Sequence, residues 1–388
     1  MGVTLKGIAW DHRRCWGPLD ASVGPYTALR PDLSIAWHRR SLHDFGEGRL
    51  EDLVRQYDLI VFDHPFVGEV ASTGLLVPLD RYLSDSDRSM FAAESVGRSW
   101  ESYQAGGHQW ALPIDAAAQV AAYRPDILAR YGEPPRTYHE VLALGQRLRA
   151  DGLWLGLPLI STDAMCLILT FAAIGGHACS STPDVFLPND TVADIVDRVR
   201  ELASLSHPES WRWNPIACYD YMIEHDDVAY VPFAFGYVNY ASQTAAPRLR
   251  FADIPASPPV GGLLGGAGLG ISALCKHPRE AFDYALHLCQ PEFQRTTYVT
   301  AGGQPGMISA WQDEACNRAT RGFFSDTLAT LEGAYLRSRE PGFVSFFRQS
   351  APQAARAFKG EITAAELATW LNKKQAETFR PALTGSLA

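Results

Sequence analysis

Apolar positions along this chain alternate between two rhythms. Short apolar runs read as strands: Val3–Trp10, Ser34–Trp37, Tyr57–Phe62, Gln119–Arg124, Leu155–Ile160 and Val228–Phe235. Gly265–Ser272 reads as a buried strand entered through glycines. Between them lie segments with helical spacing. In Thr191–Leu205 the residues Val192, Ile195, Val196, Val199 and Leu202 share one face, close to a period of 3.6. Leu50–Gln56, Tyr138–Ala150, the apolar run from Met165 to Gly176, and a segment from Lys276 to about Cys289 also read as helices. Pro25–Arg30 fits a helix end, and Pro291 starts another helix. Thr363 followed three residues later by Glu366 has the form of a capping box that opens a terminal helix. Strands alternating with helices predict an α/β fold with mostly parallel sheets flanked by helices.

A chain of 388 residues exceeds what one hydrophobic core usually organises, so two lobes are expected. Hydrophobic residues make up 47% and charged residues 20%, as in an ordinary globular protein. With 34 basic and 43 acidic side chains, the net charge of -9 argues against nucleic acid or an anionic membrane as the main partner. No apolar stretch approaches the ~18 residues of a transmembrane helix. The first residues have no apolar leader core, so either a leader has been removed or the protein stays in the cytoplasm. The seven cysteines are odd in number and none is spaced C-x-x-C, so neither a disulfide framework nor a zinc knuckle is expected. Scattered thiols fit a reducing compartment somewhat better than an oxidising one.

Several short motifs then fall in order. Gly302-Gly303-Gln304-Pro305, with the glycine-entered strand and the helix before it, resembles the C-terminal signature of extracellular solute-binding proteins of the sugar-binding type. Tyr57–Asp63 looks like that family's "YDLI" strand with a polar end, and Gly74–Asp80 like its "G.L.PLD" turn. Ala111–Asp115 with Tyr123 looks like its hinge and first ligand loop. Asp227–Val231 and Phe235-Gly236-Tyr237 look like its second-lobe strand and aromatic loop, and Gly360–Thr363 like the start of its last helix. The resemblance implies a two-lobed periplasmic-binding fold of type II that closes on a ligand and docks on the permease of an ABC importer. It implies crossings between lobes near Pro113, Pro255 and Pro305, with Arg248–Ile254 returning to the first lobe. The lobes would then be residues 1–112 with 255–305, and 113–254 with 306–388. It also implies a periplasmic or other extracytoplasmic address, against the missing leader and the free thiols.

Sugars and polyols are held by flat aromatic faces and by side chains that read hydroxyls in pairs. In open sheets, ligands sit beyond the carboxyl ends of the strands. The candidate ligand residues are therefore Trp10, Asp11, His12, Asp63, His64, Trp110, Asp115, Tyr219, Phe235, Tyr237 and Gln304. Each has a plainer reading: Trp110 as core between the lobes, Asp63 as a helix cap, Asp115 as a hinge hydrogen-bonder. Arg14, Arg39 or Arg40 near the histidines would suit a ligand with an anionic group, such as a sugar acid. Strands ~5 Å apart would let His12 and His64 approach each other. No metal is expected, since H-x-x-x-H and H-E-x-x-H spacings are missing. No cofactor is expected either: there is no G-x-x-x-x-G-K-[ST] loop, and the Gly266–Gly270 glycines precede their strand. The expected protein is a monomeric receptor for a carbohydrate-like solute. The competing reading is a cytoplasmic enzyme or sensor on the same scaffold, with His12 and His64 as acid–base residues.

Overall fold

The structure, a computed structural model, describes residues 2–177, 179, 185–242 and 249–379. Ten strands follow in chain order: β1 (Val3–Trp10), β2 (Leu33–Arg40), β3 (Leu59–Phe62), β4 (Gln104–Ala105), β5 (His108–Gln109), β6 (Leu112–Tyr123), β7 (Trp154–Leu155), β8 (Val228–Phe235), β9 (Arg250–Ala252) and β10 (Leu264–Ile271). Eight of them form one continuous sheet, ordered β2-β1-β3-β10-β6-β8-β7 with β9 also on β6, while β4 and β5 make a separate ribbon.

The chain's path through this sheet is governed by β6. Its first half, Leu112–Ala118, pairs with β10, and its second half, Gln119–Tyr123, pairs with β8 and β9. The expected parallel pairing holds for β1–β2, β1–β3 and β7–β8. Around β6 it gives way to antiparallel pairing, because the chain runs out along β6 and comes back along β8 and β10.

The sequence splits β6 into a crossing element ending at Asp115 and a separate strand from Gln119. The structure joins them into one strand of 12 residues. Ala116-Ala117-Ala118 makes the join, and alanine's weak strand preference conceals it. Packing explains the small side chains. At Gly266, with φ +106°, a Cβ would lie 2.3 Å from the Asp115 carbonyl oxygen, so the two backbones meet where neither can carry bulk. The expected strand Leu155–Ile160 shortens to Trp154–Leu155, with Gly156 and Pro158 next in line. β9 begins at Arg250; Arg248, where the sequence reading begins the return crossing, lies outside the described residues.

Helices cover both halves of the sheet. The Asn189–Leu205 helix buries Val192, Ile195, Val196, Val199 and Leu202. Burial of each is worth about 1.5–3 kcal/mol over leaving it in water. They join a core that includes the Ser161–Ile174 helix and the Phe343–Phe358 helix, with Leu167 and Phe346 among its buried residues. Around β1, β3 and β10 a second core gathers Leu5, Val61, Leu269 and Leu288. Thr363 and Glu366 cap the Ala364–Thr378 helix reciprocally, as their spacing predicts.

Candidate functional site

A cavity of about 250 Å³ opens at the carboxyl ends of β1 and β3 and is lined from both halves of the sheet. Trp10 enters from the end of β1 and Asp63 from the end of β3. Phe235 closes β8, Tyr237 follows it, and Gly265 and Gly266 lie near the start of β10. Thr162, Asp163 and Cys166 come from the start of the Ser161–Ile174 helix. Arg337, Phe343, Phe347 and Arg348 come from the C-terminal segment.

Two ion pairs frame this space. Arg14, in the first turn of the Arg13–Leu29 helix, grips Asp115 of β6 from two nitrogens at 2.9 and 2.5 Å. Its third nitrogen donates to the Gly236 carbonyl at 3.0 Å, and its guanidinium lies 4.9 Å from the Tyr237 ring. Burial works against the Arg14 charge, and the Asp115 carboxylate more than restores it. Arg337 donates to both oxygens of Asp63 at 2.9 and 2.7 Å. Burial alone would raise the Asp63 carboxyl, but Arg337 and His64 overcome it and hold it at about 2.

Asp163 is different. It is 7% exposed, lines the cavity, and has no hydrogen bond or ion pair among the described residues. Burial alone lifts its carboxyl to about 7. Arg348 also stands without a hydrogen bond or ion pair among the described residues, 5.8 Å from the Phe66 ring and in the field of Glu69.

Of the residues singled out in the sequence, Trp10, Asp63, Phe235 and Tyr237 line the cavity. Asp115 stands behind it and orients Arg14. The others are placed elsewhere, each for a local reason. Trp110 is buried in the core under β3 and donates its indole N–H to the Ala105 carbonyl. Tyr219 is buried and donates its hydroxyl to the Phe235 carbonyl at 3.0 Å. Gln304 accepts from the Val238 N–H and donates to the Ala116 carbonyl, stapling the turn to β6. Asp11 is on the surface, 3.9 Å from Arg39. His12 caps the Arg13–Leu29 helix by accepting from the Arg14 N–H, with its ring 4.9 Å from Tyr237. His64 is wholly buried, its ring 6.4 Å from Tyr103.

The two histidines therefore face different neighbours rather than each other. Burial, then the nearby guanidinium, lowers each to about 4: Arg14 acts on His12 and Arg337 on His64. The cations expected to receive an anion are already engaged. Arg39 bonds Asp20, Arg40 bonds the Val61 carbonyl, and Arg14 holds Asp115. Arg337 and Asp163 escape the sequence reading. The one available signal is a lone acid opening an otherwise apolar helix at Asp163.

The arrangement is that of a binding cavity with aromatic walls and fixed charges. Residues 52–320 match the family model described as "Bacterial extracellular solute-binding protein". Among curated proteins, a probable ABC transporter-binding protein of Deinococcus radiodurans is 24% identical over 64% of this chain and 64% of its own length. The maltotriose-binding protein of Pyrococcus abyssi is 30% identical over 30% of this chain and 24% of its own length. The chain thus spans less than two thirds of the length of either curated relative. Maltose-bound MalE3 of T. maritima superposes with a TM-score of 0.79 at 17% identity, over 96% of this chain and 99% of that one. The solute-binding protein of Thermotoga lettingae bound with α-D-tagatose does so with a TM-score of 0.80 at 14% identity, over 97% and 100%. At such identities the likeness is one of fold, the two-lobed α/β architecture. Among the described residues, no helix is long and apolar enough to cross a membrane. With its family model matched over well more than half its length, the chain belongs to the bacterial extracellular solute-binding proteins.

Proposed function

We propose that this protein captures a small polyhydroxylated solute, a sugar or polyol, in the cavity between its lobes and presents it to the permease of an ABC importer. The observation that carries this reading is the cavity itself. It sits at the strand ends where such folds bind ligands, it has Trp10, Phe235 and Tyr237 as flat walls, and fixed hydrogen-bonding groups stand beside them. The names of the relatives support the solute class: maltotriose for the Pyrococcus protein, maltose and tagatose for two structures of like fold.

In this reading, residues 1–112 with 255–305 form one lobe and residues 113–254 with 306–388 the other, hinged on β6 and β10. Binding selects the closed arrangement. The protein acts as a monomer outside the cytoplasmic membrane, in the periplasm where there is one. Trp10, Asp63, Phe235 and Tyr237 are the ligand contacts, and Asp115 supports them through Arg14.

A thermal-shift and calorimetric screen of sugars and polyols tests the proposal, since a ligand of the folded state raises Tm by mass action. Saturable binding of a sugar returned unchanged, weakened at least tenfold by Trp10→Ala, is expected. No saturable binding across the screen would overturn the reading, and so would a ligand chemically altered by the protein.

A further inference from the structure

Charge around the cavity is matched almost everywhere. Arg14 faces Asp115 and Arg337 faces Asp63; Arg348, without a hydrogen bond or ion pair among the described residues, lies only in the field of Glu69. Asp163 is the lining carboxyl left over: more than nine-tenths buried, opening on the cavity, with no hydrogen bond or ion pair to a cation among the described residues. A buried carboxylate left without a counter-charge costs stability. Such a carboxyl either keeps its proton or takes its counter-charge from a ligand.

We propose that Asp163 selects a solute carrying a protonated amine, so that the ligand is an amino-bearing sugar or polyol rather than a neutral or acidic one. The inference rests on the sugar-receptor reading and narrows it. The walls of the cavity would hold the ring faces, and Asp163 would hold the ammonium as a charge-assisted hydrogen bond.

The groups facing Asp163 leave it as the one that titrates near neutrality. Cys166 lies one turn along its own helix, and Cys218 and Tyr219 belong to the Pro215–Glu224 helix opposite. Burial raises all three, so they stay neutral. Tyr237, beyond β8, is pushed up to about 12 by burial. His12 beside it is neutral, at about 4. The more distant charges, Arg14 with Asp115 and Arg337 with Asp63, are fixed in pairs. An amine-bearing ligand then binds the ionised form of Asp163, and its affinity rises with pH. With the free carboxyl at about 7, the gain from pH 5.5 to 7.0 is about fifteenfold, with proton release on binding at the lower pH.

The experiment is calorimetry at pH 5.5 and 7.0 on the full chain. The probes are three matched sets: glucose, galactose and mannose, their 2-amino-2-deoxy forms, and their uronic acids. Asp163→Asn keeps the shape and removes the charge. Expected is an amino sugar that binds at least tenfold more tightly than its neutral counterpart at pH 7.0. It should gain about fifteenfold from pH 5.5 to 7.0, and both effects should vanish in Asp163→Asn. A neutral hexose bound as tightly as its amino form would overturn the inference and leave the receptor reading standing. Tightest binding of a uronic acid would also overturn it, making Asp163 a protonated donor. If no probe binds saturably, this inference fails, and the wider screen of sugars and polyols decides the receptor reading separately. Circular dichroism of Asp163→Asn separates a lost contact from a lost fold.

Discussion

One nitrogen of Arg337, Nη2, donates to both carboxylate oxygens of Asp63, at 2.9 and 2.7 Å. The bond joins the carboxyl end of β3 to a segment 274 residues further along the chain. Asp63 also caps the short helical turn that follows it by accepting from the His64 N–H at 2.8 Å. Arg337 is 7% exposed, so it has little water to replace its partner. Asp63→Asn should therefore destabilise the protein by about 3–5 kcal/mol in a urea titration, because it strands a buried guanidinium. Adding Arg337→Met to it should recover much of that loss. A double variant as unstable as the sum of the single ones would mean that the two side chains act independently.

Asp163 makes a prediction about stability that is separate from its ligand. Its carboxyl sits at about 7 in the folded state against 3.8 in the unfolded chain, so the folded protein holds a proton that the unfolded one releases. The stability this contributes is complete below pH 3.8 and drains away as pH rises to about 7. The total is about 4 kcal/mol at the usual 1.36 kcal/mol per pKa unit. Ligand-free Asp163→Asn should thus gain stability over the native protein at pH 8 and lose the advantage at pH 4. Thermal unfolding across that range measures the crossover. An unchanged difference between the two proteins at all pH values would show that Asp163 is solvated.

Gln304 is tested by its hydrogen bonds. The sequence suggests a ligand contact, yet its amide bridges the Val238 N–H and the Ala116 carbonyl, 3.2 and 2.8 Å away. Gln304→Leu strands both backbone groups in the interior, at about 1–3 kcal/mol for each. The expected result is a loss of about 2–6 kcal/mol in denaturant unfolding. Affinity for a bound sugar, measured well below the transition, should change less than it does in Trp10→Ala. A loss of affinity as large as that of Trp10→Ala, with stability intact, would return Gln304 to the ligand.

What the sequence displays and what it hides divide along a physical line. The Asn189–Leu205 helix and β8 are visible because periodicity reports burial directly, and every residue of the predicted apolar face is buried. Trp10, Asp63, Phe235 and Tyr237 could be placed at the cavity because a strand end is a local feature. The unity of β6 was hidden because three alanines fit a close approach that only the partner strand reveals. Arg337 and Asp163 were hidden because their significance lies in what stands opposite them. Arg337 meets Asp63 across 274 residues of sequence, and Asp163 meets no opposite charge among the described residues. Such relations are set by tertiary geometry and leave no local pattern.

His64 provides the last test, and it separates a buried structural histidine from an acid–base group. Its ring is wholly buried and, among the described residues, neither ring nitrogen makes a hydrogen bond, though Nδ1 lies 3.2 Å from an Asp63 oxygen. Burial and the Arg337 charge lower it from 6.5 to about 4. The unfolded chain thus takes up a proton that the folded protein refuses, and stability falls as pH drops from 6.5 to about 4. The loss reaches about 3 kcal/mol at 1.36 kcal/mol per pKa unit. His64→Leu removes two desolvated nitrogens and the titration together. Its Tm should equal or exceed that of the native protein at pH 4.5, the difference should shrink towards pH 7, and sugar affinity should stay within threefold. If the variant instead lost affinity and kept the acid-limb slope, His64 would be acting at the ligand, and the placement of its ring away from the cavity would be wrong.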